Sequence, residues 1–148
     1  MYLLDNDIFS LYFTRESPQP ILERKILATD ESLIWISVVA AEESIKGALK
    51  LIKDNQNTPR VTLGYKFLSK ILSALNQYQV LPFDDAAYQA YQQIPLDIRR
   101  AIKTRDSRIA ASALSKEYIV VTRNLNHFQQ VPGLVCEDWT QQNPASAN

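Results

Sequence analysis

Four short apolar runs in this chain each break into a polar cluster. Tyr2-Leu3-Leu4 runs into Asp5-Asn6-Asp7, Leu33 to Ile36 into Ser37, Val80 to Phe83 into Asp84-Asp85, and Tyr118 to Thr122 into Arg123-Asn124. Runs this short, apolar without alternation and followed by helical spacing, suit strands covered on both faces. A fifth run, Leu134-Val135-Cys136, follows the Pro132-Gly133 turn. Strands alternating with helices predict one three-layer α/β/α domain with a mainly parallel five-stranded sheet. The 148 residues, 46% of them hydrophobic, suffice for a single core. That domain is expected over residues 1–139. Residues 140–148 lack apolar spacing and read as a flexible tail. Pro82 puts the third strand at an end or an edge.

The helices follow from their caps and stripes. A short one is expected over 21–29. Ser37 caps a long one over 38–53, with an apolar stripe of Val38, Ala41, Ile45, Ala48, Leu49 and Ile52. Another spans 60–79, striped by Tyr65, Leu68, Ile71, Leu72, Leu75 and Tyr78. Asp84-Asp85 caps a helix that Pro95 interrupts. The most telling stretch is Thr104 to Leu114: Thr104 is a good N-cap, Asp106 lies near the positive end of the helix dipole, and Ile109, Ala110, Ala113 and Leu114 form an apolar face.

Several function classes drop out on residue counts. Lys plus Arg and Asp plus Glu are both 16, so net charge offers no argument for nucleic acid or membrane. A basic run over 97–108 (Arg99, Arg100, Lys103, Arg105, Arg108 against Asp97 and Asp106) makes phosphate contact local instead. One cysteine, Cys136, and one histidine, His127, exclude an internal disulfide and a typical structural zinc site, and with no GxSxG and only His127 available a Ser-His-Asp triad is unsupported. Three glycines leave no phosphate-cradling loop. The absence of a leader-like or membrane-length apolar run leads us to expect a cytoplasmic protein without membrane contact.

What remains is acidic. Asp5 follows the first strand, Glu42 and Glu43 open the helix after the second, and Asn124 follows the fourth. In an open parallel sheet these strand ends form one edge, where sites are built, and Asp106 can face the same cleft. Converging carboxylates repel unless a cation joins them, and hard oxygen ligands select Mg²⁺ or Mn²⁺. Such an ion suits phosphodiester hydrolysis, with nearby Arg and Lys holding the backbone. Helical phase favours Glu42 as the inward acid of its pair.

The segments Leu3 to Ser10, Ile36 to Gly47 and Thr104 to Ala111 resemble, in order, the three acidic motifs of PIN-domain nucleases. Val121 to Asn124, His127-Phe128 and the stretch from Val131 to Trp139 resemble the C-terminal motif of VapC toxins. The resemblance implies a Mg²⁺- or Mn²⁺-dependent endoribonuclease, the toxin of a toxin–antitoxin pair, homodimeric and neutralised by a VapB-like antitoxin. It implies Asp5, Asp106 and Glu43 as metal ligands, with Asn124 completing the catalytic set. The motif acid lies four residues before Gly47, which selects Glu43 and leaves Glu42 and Asp7 as alternative acids. Arg105, Arg108, Arg123 and His127 are the candidate RNA contacts. The sequence departs from the family pattern in three places: Asn124 and His127 stand where a fourth acid is found, Lys103 where glycine often precedes the threonine, and Ala40 where a hydroxyl is common. The alternative reading is therefore a PIN-like module that binds RNA or antitoxin without cutting.

Overall fold

The computed structural model describes residues 1–14 and 19–142. The expected tail lies outside them from residue 143 onward, as does the loop-marking Pro18. Five strands form one sheet: β1 (Tyr2–Leu4), β2 (Ile34–Ser37), β3 (Gln79–Leu81), β4 (Ile119–Val121) and β5 (Cys136–Glu137). Their order is β3-β2-β1-β4-β5, and every neighbouring pair is parallel. The expected mainly parallel sheet is thus wholly parallel. β3 is an edge strand, which tolerates the proline that follows it. β1 is central, with Leu4 in register with Ile36 of β2 and Val121 of β4.

Period-two alternation divides the core into two layers. Leu3 and Val120 face one side, where they join Ile102, Ile109 and Phe128. Leu4, Ile34, Ile36 and Val121 face the other, packed with Ile8, Phe9 and Ile71. The first side is covered by α5 (Asp85–Gln93), α6 (Leu96–Ala101), α7 (Thr104–Lys116) and α8 (Leu125–Phe128). The second is covered by α1 (Asn6–Phe9), α2 (Pro20–Ala28), α3 (Val38–Asp54) and α4 (Val61–Gln77). α3 and α4 approach so closely at Gly64 that a Cβ there would lie 2.6 Å from Ile52 Cγ1 and 2.8 Å from its backbone nitrogen.

Two local expectations are corrected. In α3 the buried residues are Val39, Ala40, Ala41, Ser44 and Ala48, while Val38 and Leu49 are exposed. The helix turns its small residues inward because close packing on α1 and the sheet favours short side chains over bulky ones. In α4, Tyr65 and Leu72 are likewise exposed, and Gly64 and Ala74 are buried. The second correction concerns Thr104. It is the first helical residue of α7, and the cap position is Lys103, with no side-chain cap bond. Lys103 has φ +74° and ψ +151°, backbone territory that belongs almost entirely to glycine.

Candidate active site

Asp5 stands at the carboxyl end of the central strand. Its N–H continues the ladder by donating to the Val121 carbonyl at 3.1 Å. Its side chain caps α1: Ile8 N–H donates to Oδ1 at 2.8 Å. Thr122 Oγ1 donates to Oδ2 at 2.5 Å and in turn accepts from Asn124 N–H at 2.9 Å. The carboxylate is only 5% exposed. Burial raises its pKa to about 6 against the pull of the Ile8 and Thr122 bonds, and the charges of Asp7 and Asp106 push it the same way. Asp5, Asp7 and Asp106 therefore share one electrostatic neighbourhood, as the sheet-edge argument requires.

The other acids each hold a basic partner. Asp106, in the first turn of α7, accepts from His127 Nδ1 at 3.0 Å. Asp7 receives two bonds from Arg123, from Nε at 2.7 Å and Nη2 at 2.6 Å. Glu43 is ion-paired through Oε1 with Arg105. Its Oε2 is buried and has no hydrogen-bond partner. Glu42 points to solvent and pairs with Lys46 one turn on, which, with the more distant Arg108, lowers its pKa. The inward choice made by helical phase is thus reversed, because the buried face of α3 is turned toward Ala40 and Ser44 and Glu43 lies nearer to it. Among the described residues the Asn124 side chain makes no hydrogen bond, and α8 starts after it without a side-chain cap. Arg108 is exposed.

Thr122 was assigned no role by the sequence reading. Strand register brings it to the site: with Leu4 beside Val121, the next residues, Asp5 and Thr122, meet. Asn6 and Ser44 were missed in the same way, and Ser44 Oγ donates to Asn6 Oδ1 at 2.8 Å, tying α3 to the end of β1. The Glu43–Arg105 pair joins α3 to α7 and leaves no signal in a single sequence. Burial pushes the Cys136 thiol up to about 11, so it is no nucleophile at neutral pH.

The donor chemistry fits a hard divalent ion. Asp5, Asp106 and Glu43 offer carboxylate oxygens, and the orphaned Glu43 Oε2 is a buried acceptor that a cation would satisfy. Among the described residues no three His, Cys, Asp or Glu side chains are gathered as a preformed metal group.

A parallel sheet in this order, with acids after β1 and at the starts of α3 and α7, defines a class. The sequence matches the PIN domain family over residues 2–134, and the chain belongs to that family. Its relatives include the tRNA(fMet)-specific endonuclease VapC of Shigella flexneri, 30% identical over 142 residues (94% of this chain and 98% of the relative). The enzyme of that name from Salmonella typhimurium is 29% identical over 141 residues (93% and 97%). In the crystal structure of DNA-bound VapBC from Salmonella typhimurium, the matching chain superposes with a TM-score of 0.71 at 25% identity (93% of this chain and 97% of that one).

Proposed function

We propose that this chain is a VapC-type endoribonuclease that hydrolyses RNA phosphodiesters with a bound Mg²⁺ or Mn²⁺ and is neutralised by a VapB-like antitoxin. The observation that carries the reading is the buried Asp5 carboxylate at the end of β1, sharing its field with Asp106. Such a pair is costly in an empty protein and useful around a cation. Asp5, Asp106 and Glu43 are the residues that would hold the ion. When bound, it supplies an acidified water and neutralises charge on the phosphate.

The chain's own side chains do the rest. Ile8 N–H and Thr122 fix Asp5, and His127 fixes Asp106, so two acids are oriented before substrate arrives. Arg105 and Arg123 lie against Glu43 and Asp7, within reach of a phosphate that enters between them. Arg108 extends the positive edge. In the reaction water adds to phosphorus, one P–O ester bond breaks, and the departing oxygen takes a proton. Among the described residues the Asn124 side chain has no competing bond, which leaves it to position water or phosphate. The antitoxin and a second copy of the chain are assigned to the exposed apolar residues of the α2, α3 and α4 layer, including Leu27, Leu49, Leu63, Tyr65 and Leu72.

The test is cleavage of total cellular RNA by antitoxin-free protein in Mg²⁺ or Mn²⁺. Discrete fragments are expected from wild type, and none from Asp5→Ala, from Asp106→Ala or in EDTA. A folded wild type that cuts nothing overturns the proposal in favour of a non-catalytic binding module, with Asn124 and His127 in place of acids as the reason.

A further inference from the structure

We propose that the exposed ring of Tyr88, backed by Tyr91 and the Arg99 guanidinium, is a stacking subsite for an unpaired base of the bound RNA strand, away from the cleaved phosphodiester. This rests on the ribonuclease reading and adds where the strand lies beyond the acids. Tyr88 and Tyr91 are three residues apart on α5 and so share a face. Their rings are near parallel, at 21° with centroids 6.3 Å apart. Tyr91 is fixed from two further sides. Phe83 meets it edge-on at 6.4 Å, and the Arg99 guanidinium carbon lies 4.8 Å from its centroid. Tyr88, at the open end of this stack, is 52% exposed.

The charges beside it match a nucleic acid strand. Among the described residues, Arg99, Arg100, Lys103 and Arg108 form no ion pair, unlike Arg105 and Arg123. All four lie in the segment that carries α6 into α7. Ser107 Oγ donates to the Lys103 carbonyl at 2.8 Å and lies 3.4 Å from the Arg99 carbonyl, so the end of α6 that carries Arg99 is held against the first turn of α7, which carries Asp106. An unpaired base needs a π-surface, and its flanking phosphates need cations without carboxylate partners; this face supplies both. A paired base offers no free face, so the ligand is a single-stranded or loop segment. Arg and Tyr also mark protein contacts, and that reading is an outcome of the test.

Affinity for an unstructured oligoribonucleotide carrying 2-aminopurine is measured with the full chain in EDTA, and KM for its cleavage in Mg²⁺. Tyr88→Leu and Tyr88→Ala are expected to raise Kd or KM about 5- to 150-fold and to lose the stacking quench of 2-aminopurine. Tyr88→Trp should keep both. Val135→Ala, which trims an exposed apolar side chain just before β5, should match wild type. A Tyr88→Leu variant equal to wild type in both Kd and KM overturns the subsite and leaves the ribonuclease reading standing. A change in sedimentation caused by Tyr88→Ala assigns the face to a protein contact and overturns it too. Wild type that does not bind the strand yet cuts cellular RNA overturns the subsite alone, and wild type that cuts neither overturns both readings.

Discussion

Replacing Asp5 by asparagine should make the metal-free protein more stable, and the gain should depend on pH. The rise of the Asp5 pKa from 3.8 to about 6 corresponds to about 3 kcal/mol held against the ionised form. In this pH range the folded chain binds more protons at Asp5 than the unfolded chain does. The group's contribution therefore favours folding below pH ~4, is lost as pH rises from ~4 to ~6, and is fully lost above ~6. Asparagine carries no charge to desolvate. Its Oδ1 can still accept from Ile8 N–H, and the loss or reversal of the Thr122 bond costs about 1 kcal/mol. The expected gain at pH 8 is thus about 2 kcal/mol, and below pH ~4 it turns into a loss of about 1 kcal/mol. The assay is urea unfolding of wild type and Asp5→Asn in EDTA at several pH values. Acids remote from Asp5 titrate alike in both proteins, so the difference between the two curves reports the Asp5 charge together with its coupling to Asp7 and Asp106. Adding Mg²⁺ should then stabilise wild type and leave Asp5→Asn unchanged. A variant no more stable than wild type at pH 8, or a gain that does not vary with pH, would refute the claim that Asp5 is held charged at a cost the cation relieves.

Three further outcomes follow from local geometry. Gly64→Ala should cost about 1–3 kcal/mol in thermal unfolding, because the added Cβ meets the backbone of Ile52 and not a movable side-chain tip. Lys103→Gly should stabilise by about 1 kcal/mol, since φ +74° with ψ +151° strains any residue with a Cβ and glycine removes that strain at some entropic expense. An unchanged or lower melting temperature would contradict it. Arg123→Gln should change stability by less than about 1 kcal/mol, because the pair with Asp7 is half exposed. If it also weakens RNA cleavage mainly through KM, the guanidinium serves substrate and not the fold.

The sequence alone determined the layers. Short unalternating apolar runs can be buried on both faces only in a parallel sheet, and their polar ends had to gather at one edge. That placed Asp5 and the start of α3 with no contact information, and it placed Asp106 by its helix. Tertiary structure decided what a one-dimensional pattern cannot carry. Which acid of the Glu42/Glu43 pair turns inward depends on how closely Ala41, Ser44 and Ala48 pack, a matter of volume and not of hydrophobic period. That Thr122 holds Asp5 depends on strand register, and that Arg105 holds Glu43 depends on where two helix starts meet. Lys103 shows the same limit at the backbone: lysine gives no local sign of positive φ, and only the turn from buried Ile102 into α7 imposes it. Periodicity is a property of one element, whereas pairing, register and strain belong to the contacts between elements, which a chain acquires only by folding.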